Sequence, residues 1–227
     1  MKYLIIGLAL LVQPAELVWA EESLAFHAEK SVADAFDETG LKILGVGALA
    51  TALALTQDQA MQAAWVNNQR MDPSVSVIGD YWGRGYVEFG AVAAQLIFDR
   101  KNGVPALEGT LTSTVATYAL KYGVQRQRPS NGNRDSFPSG HTQAAFAMAT
   151  TLHMSYGFWP AAPIYFMAVF TGLSRMADNA HWFSDVVAGA TVGVLFGRAG
   201  FKHHFAVTPM AFESGDRGFG LVVNLNY

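Results

Sequence analysis

The stretch "SGHTQAAFAMATTLHMSYGFWPAAPIYFMAVFTGLSR", residues 139–175, says most about the fold class because it is long, apolar and rich in alanine. It contains no charged residue from Met154 to Ser174. Its pattern predicts two helices, His141–Tyr156 and Ala161–Arg175, with a proline at 160 in the space between them. This part of the chain is therefore expected to be helical.

Similar segments lie on both sides of this stretch. The further helix candidates are Leu41–Thr56, Val87–Phe98, Ala106–Tyr122 and Asp185–Gly197, and an amphipathic helix with a loop is predicted over Gln57–Trp82. Beyond Lys202 the chain alternates, and a turn at Gly215–Gly218 between "FAVTPMAF" and "FGLVVNLNY" predicts a hairpin. We expect an all-α fold, a helical bundle of about five to six core helices with a short C-terminal β-hairpin tail.

The composition narrows the class of protein. Apolar residues make up 51% of the 227 residues and charged residues 15%, against a typical charged fraction of about 25%. A net charge of −3 gives no reason to expect a nucleic-acid partner. The absence of cysteine excludes disulfides and thiolate metal sites.

Residues 1–20, "MKYLIIGLALLVQPAELVWA", are predicted to be a signal peptide for export. Lys2 supplies the positive start, Tyr3–Val12 the apolar stretch and Val18–Ala20 the cleavage pattern. The alternative is an uncleaved first membrane helix. The proline and the glutamate within the segment disfavour it, because a spanning helix needs about 20 apolar residues.

The placement of charges gives an expected orientation for membrane-embedded helices. The positive-inside rule places Arg100-Lys101, Arg198 and Lys202 on the cytoplasmic side. The loops at 121–140 and 175–184 then face the periplasm. We expect a protein of the bacterial cell envelope that is embedded in the inner membrane, with a soluble periplasmic globule as the alternative.

A first polar cluster lies in "KYGVQRQRP", which ends at Pro129. Lys121 and Arg128 are two helical turns apart and point to the same side. An arginine offers a planar fork and a lysine a point charge, a pair that suits a multiply charged anion. A basic rim on the cytoplasmic side would explain the two cations equally well.

A second cluster lies in "SFPSGHTQAAFAMAT", residues 136–150, where "PSGH" from Pro138 marks the start of a helix. The free N–H groups at a helix start can bind phosphate, and Gly140 lets the backbone approach a ligand closely. His141 lies beside this potential phosphate-binding site. The alternative is a plain helix cap, in which Ser139 bonds the first turn and the histidine is solvated.

A third cluster contains Arg175, His181 and Asp185. His181 and Asp185 are one helical turn apart, so they can touch. A carboxylate that accepts from one imidazole nitrogen leaves the lone pair of the other nitrogen free to attack. For an isolated pair, a purely structural contact would be the favoured interpretation.

Taken together and in this order, the clusters resemble the three-part signature of the type 2 phosphatidic acid phosphatase superfamily. That group includes lipid phosphate phosphatases, bacterial non-specific acid phosphatases and vanadium haloperoxidases. The matching positions are Lys121, Arg128 and Pro129; Pro138, Ser139, Gly140 and His141; and Ser174, Arg175, His181 and Asp185.

The resemblance implies a role for each of these side chains. His181 would be the nucleophile that forms a phosphohistidine, Asp185 would hold its ring, and His141 would protonate the leaving group and then activate water. The phosphate-binding groups would be Lys121, Arg128, Ser139, Gly140 and Arg175. Because cations and a helix start supply the charge neutralisation that phosphoryl transfer needs, no metal or cofactor is expected.

The expected function is an exported phosphatase for lipid phosphates such as prenyl diphosphate, phosphatidylglycerol phosphate or a lipid A-type glycolipid. The alternatives are a lipid phosphotransferase, a non-specific periplasmic acid phosphatase, a vanadium haloperoxidase and a non-catalytic envelope protein. The expected partners are a lipid phosphate and the membrane, without nucleic acid, and the sequence leaves the oligomeric state open.

Four regions are expected along the chain. They are a signal peptide at 1–20, an N-terminal helical region at 21–84, a catalytic core at 85–200 and a tail at 201–227. Arg126 and Arg134 flank the predicted site, either as solvated loop charges or as groups that hold a larger headgroup.

Overall fold

The computed structural model describes residues 32–130, 132–202, 205–211 and 219–225. The described helices are α1 (Glu38–Leu55), α2 (Asp58–Gln62), α3 (Pro73–Gly83), α4 (Tyr86–Phe98), α5 (Arg100–Val124), α6 (Gly140–Tyr156), α7 (Phe158–Ala177) and α8 (Phe183–Ala199). A π-helical stretch, Ala63–Asn67, follows α2. The all-α class is confirmed. The predicted signal peptide and the predicted turn at 215–218 lie outside the described residues.

Two strands follow the helices. Strand β1 (Phe205–Ala211) pairs with β2 (Phe219–Leu225) in antiparallel fashion, with Phe205 opposite Leu225.

Two of the helix starts that differ from the sequence-based expectation involve proline. Helix α7 begins at Phe158, so Pro160 lies in its first turn, where the missing N–H would have no intrahelical partner. Helix α5 begins at Arg100, so Pro105 lies inside it and removes one backbone hydrogen bond near its start. Proline was therefore a poor boundary marker at these two positions.

Helix α6 is mostly buried and packs against α5, α7 and α8. Its contact with α8 is close because α8 presents glycine there. A Cβ atom on Gly193 would lie 2.5 Å from the carbonyl oxygen of Gln143 and 2.9 Å from the amide nitrogen of Ala147. The two helix starts also lie together, since the Ser139 N–H donates to the Asp185 main-chain oxygen (2.9 Å).

Four helix ends meet at one end of the bundle. Lys121 and Arg175 lie in the last turns of α5 and α7, and His141 lies in the first turn of α6, close to the start of α8. The start of α5 packs against the end of α8, which places Arg100 and Arg198 at the opposite end. The loops at 121–140 and 175–184 therefore share one end.

The bundle buries small and hydroxyl side chains and exposes large apolar ones. Phe98, Trp159 and Ile97 are 86%, 83% and 73% exposed, while Ala147 and Thr142 are fully buried. Small residues at helix contacts and large apolar residues outside are typical of helices in lipid. Among the described residues, one helix, Glu38–Leu55, is long and apolar enough by itself to cross a membrane.

Candidate active site

A cavity of about 840 Å³ opens at the end of the bundle where the four helix ends meet. Residues from all three sequence clusters line it. They include Lys121, Arg128, Gly140, His141 and His181. The fold thus brings together side chains that are 60 residues apart along the chain.

His181 is buried, and its ring has a defined hydrogen-bond partner. Its Nδ1 lies 2.7 Å from the main-chain oxygen of Ser136. A carbonyl oxygen can only accept, so Nδ1 carries the proton and the lone pair is on Nε2. The Asp185 carboxylate lies 3.9 Å from Nδ1. The Ser136 carbonyl therefore takes the position that the spacing had suggested for the carboxylate.

Asp185 is completely buried and reaches His181 through Ser136. Its Oδ2 accepts from the Ser136 hydroxyl (2.5 Å) and from the Trp182 N–H (2.9 Å). Its Oδ1 accepts from Arg126 Nη1 (2.6 Å). Ser136 belongs to the second cluster but had no predicted role, and Arg126 was expected to be either a solvated loop charge or a group that holds a larger headgroup.

Two of the predicted phosphate ligands converge on one loop residue. Arg128 donates to both carboxylate oxygens of Asp135 (2.7 and 3.0 Å), and Lys121 donates to the main-chain oxygen of the same residue (2.5 Å). Arg128 lowers the pKa of Asp135 chiefly through this hydrogen bond. The two side chains predicted to donate to phosphoryl oxygens thus donate to oxygen atoms of Asp135.

Asp80 of α3 is the common partner of Arg175, Arg84 and His141. It accepts from Arg175 Nη1 (2.5 Å) and from Arg84 Nε (2.7 Å), and its Oδ1 lies 3.1 Å from His141 Nε2. The last contact has ion-pair distance without the alignment of a hydrogen bond. Arg175 is 5% exposed and also donates to Asp178 (2.6 Å). No functional role was predicted for Asp80 or for its part of the chain.

Ser139 and Gly140 form the start of α6. The Ser139 hydroxyl accepts from the Thr142 N–H at 3.4 Å as the N-cap of the helix, and the residue is fully buried. Gly140 lies beside Lys121, whose Cε would be 3.8 Å from a Cβ at this position. The predicted phosphate contact of Ser139 stays a prediction, and its hydroxyl is used as a helix cap.

Both histidines favour the neutral form in this cavity. Burial, followed by the charges of Arg175, Arg128 and Arg84, lowers the pKa of His141 to about 4, while Asp80 acts in the opposite direction. Burial lowers the pKa of His181 well below its usual value, and nearby Arg128 and Lys121 add to this effect. A neutral His181 with the proton on Nδ1 keeps its lone pair on Nε2.

The described residues contain no cluster of three or more His, Cys, Asp or Glu side chains that could hold a metal ion.

Comparison with known proteins identifies relatives for about half of the chain. The model of the PAP2 superfamily matches residues 130–209, which hold the second and third clusters. The lipid A 1-phosphatase of Porphyromonas gingivalis is 48% identical over 86 residues, 37% of this chain and 19% of that protein. The lipid A 4'-phosphatase of Helicobacter pylori is 28% identical over 113 residues, 50% of this chain and 53% of that protein.

The chain thus spans between about a fifth and about half of the length of these two curated relatives. Among solved structures, LpxE of Aquifex aeolicus aligns with a TM-score of 0.56 and 26% identity, over 64% of this chain and 94% of that one. The transmembrane PAP2 type phosphatidylglycerolphosphate phosphatase of Bacillus subtilis shares the fold, with a TM-score of 0.51 and 22% identity over 74% and 92%. Residues 130–209, which hold two of the three clusters, thus match the model of the PAP2 superfamily, and the described helices share the fold of both solved structures.

Proposed function

We propose that this protein is a phosphatase that hydrolyses lipid phosphates through a phosphohistidine and needs no metal ion. One observation carries the proposal: His181, with its Nε2 lone pair free, lines the same cavity as His141, Lys121 and Arg128. A nucleophile, a proton donor and two cations around one space are what phosphoryl transfer requires.

The first step forms the covalent intermediate. Nε2 of His181 attacks phosphorus, the bond to the leaving oxygen breaks, and His141 gives that oxygen a proton. Lys121 and Arg128, which line the cavity, neutralise the charge on the phosphoryl oxygens, while Arg175 adds its positive charge from beside Asp80, next to His141. Because the bound phosphate opposes the positive field around His141, substrate binding raises the pKa of this imidazole and favours its acid form.

The second step releases phosphate. His141, now neutral, takes a proton from water while the water oxygen attacks phosphorus. The N–P bond breaks and its electron pair returns to Nε2 of His181. Two histidines in complementary protonation states predict a bell-shaped dependence of rate on pH.

A lipid A-type glycolipid is the proposed substrate. The names of the two curated relatives support it, and so does the cavity itself. Its lining includes four aromatic side chains, each at least 44% exposed, which can contact sugar rings or the first part of an acyl chain: Tyr86, Phe89, Tyr118 and Tyr122. A phosphate-binding pocket with an aromatic rim suits a lipid whose phosphate lies at a membrane surface.

We further propose that the bundle is embedded in the inner membrane with this cavity facing the periplasm. The exposed apolar surface and the helix Glu38–Leu55 support the embedding. Arg100 and Arg198 lie at the end opposite the cavity, as the positive-inside rule requires for that orientation. The transmembrane relative of known structure has the same fold.

The test is phosphate release by the purified chain in detergent. The panel contains a lipid A-type 1-phosphate and 4'-phosphate, prenyl diphosphate, phosphatidylglycerol phosphate and a water-soluble sugar phosphate. We expect release from at least one lipid, unaffected by a chelator and absent in His181→Ala. Activity confined to the soluble ester, transfer only to an added lipid acceptor, or loss in chelator would contradict the proposal.

A further inference from the structure

Arg126 connects two carboxylates from distant parts of the chain. Its Nη2 donates to Asp58 Oδ2 (2.6 Å), and its Nη1 donates to Asp185 Oδ1 (2.6 Å) and to the Ser184 hydroxyl (2.6 Å). Its guanidinium also lies 5.4 Å from the ring centre of Trp182. The side chain is thus a bridge between α2 and the start of α8, and it is not a solvated loop charge.

Asp58 is 5% exposed, and both of its oxygens are used in this bridge. Besides Arg126, it accepts from the Ser184 N–H (2.8 Å) and from the Ser184 hydroxyl (2.7 Å). A buried carboxylate is costly unless it is paired and hydrogen-bonded. Asp58 meets both conditions only because Arg126 and the first turn of α8 face it.

The main chain of Arg126 touches the same group of residues. Its carbonyl oxygen accepts from the Ser136 N–H (3.0 Å). Ser136 in turn donates its hydroxyl to Asp185 and accepts from Nδ1 of His181. Arg126 therefore holds both residues that determine the orientation of the His181 ring, Ser136 through its backbone and Asp185 through its side chain.

Arg126 does not itself contact the reacting groups. It is absent from the residues that line the cavity in the described part of the chain, and both terminal nitrogens are engaged by acceptors away from it. Its effect on catalysis must pass through Asp185 and Ser136.

We propose that Arg126 and Asp58 are positioning residues: Asp58 holds the Arg126 guanidinium, which fixes Asp185 and Ser136 and thereby the attacking nitrogen of His181. The proposal rests on the proposed function of His181 as nucleophile. It gives the N-terminal region a part in catalysis, because Asp58 precedes the three clusters by more than 60 residues.

The test compares variants with a lipid A-type 1-phosphate as substrate. In Arg126→Ala and Asp58→Ala we expect kcat to fall by about 10²-fold, the usual cost of displacing a reacting group by about 1 Å. KM should change less than about twofold, since no phosphate ligand is removed. Arg126→Lys and Asp58→Asn keep part of the bonding and should lose less.

Arg198→Ala is the matched control. Arg198 also pairs with a carboxylate of the N-terminal region, Asp37 (2.8 Å), but at the other end of α8. This variant should lose stability but keep its turnover per folded molecule. The fraction of folded molecules is measured by phosphate binding. If Arg126→Ala also keeps its turnover per folded molecule, the positioning role is wrong. The proposed function is then still supported by the activity of the wild-type protein.

A double variant separates positioning from a general structural effect. If Arg126 acts through Asp185, the fall in kcat caused by Arg126→Ala should be at least about tenfold smaller in an Asp185→Asn background. Guanidinium added to Arg126→Ala should restore part of kcat. Additive losses, or a rise in KM without a fall in kcat, would overturn the proposal.

Discussion

At the residue scale, the Ser136 carbonyl fixes which nitrogen of His181 can react. Main-chain oxygens move little, so the 2.7 Å bond from Nδ1 keeps the ring in one tautomer and one orientation. Asp185 supports this arrangement through the Ser136 hydroxyl. His181, the proposed nucleophile, is thus oriented by a serine and a carboxylate acting in series.

His181→Ala should lower turnover by at least about 10³-fold, because no covalent intermediate can form without the attacking nitrogen. Rapid quenching with labelled substrate should trap phosphohistidine in the wild type and none in the variant. His153→Ala is the control, since His153 lies against Tyr165 (3.4 Å) outside the cavity. Normal turnover in the His181 variant would remove the nucleophile from the mechanism.

Asp80→Asn should shift the basic limb of the pH profile of kcat to lower pH. The Asp80 carboxylate favours the charged form of His141, while Arg175, Arg128 and Arg84 disfavour it. Removing that negative charge lowers the pKa of His141, so the protonated form is lost at a lower pH. An unchanged basic limb would show that Asp80 does not act on His141.

At the element scale, the contact between α6 and α8 determines how closely the two histidines approach. Both helices start at the cavity, and glycine on α8 lets the backbones touch. Sliding one helix away from the other would separate His141 from His181. The geometry of the site therefore depends on residues that never contact substrate.

Gly193→Ala tests this dependence. A Cβ there meets backbone atoms of α6 at 2.5 and 2.9 Å, which cannot move aside cheaply, so we expect a loss of about 1–3 kcal/mol and a lower kcat. Gly45→Ala is the control, because a Cβ there meets nothing within 4 Å and should stabilise α1 by about 0.4–1 kcal/mol. Thermal unfolding in detergent and phosphate release measure both effects, and equal behaviour of the two variants would contradict the argument.

At the scale of the whole molecule, the bundle has a polar end and an apolar outside. Side chains such as Phe166, which is 71% exposed, surround the helices, while hydroxyl groups such as that of Thr171 are buried. Exposing such an apolar surface to water costs free energy, whereas exposing it to a bilayer does not. In the proposed orientation, this arrangement places the cavity at the membrane surface.

We expect the protein to remain with membranes after washing at high salt and high pH, and to enter solution only with detergent. Apolar contact with lipid is insensitive to salt, whereas electrostatic attachment is not. Sedimentation followed by phosphate-release assays of each fraction measures this. Activity in the detergent-free supernatant would favour the periplasmic globule instead.

The sequence by itself determined the helical class and some of the residues that line the cavity, namely Lys121, Arg128, Gly140, His141 and His181. Helix formation depends on local periodicity and on caps such as Ser139, and both are visible over a few residues. The motifs around His141 and His181 lie at helix starts, so their chemistry could be assigned before any contact was known. Proline was a poor boundary marker at 105 and 160, whereas Pro163 lies inside α7 in a stretch that was predicted to be helical.

Only the tertiary structure decided which groups hold those side chains. Asp58, Asp80 and Arg126 find most of their partners across 58 to 126 residues of chain, a separation that no local spacing encodes. A buried charge must be neutralised by whatever the packing places beside it. Those partners are therefore a property of how the helices pack.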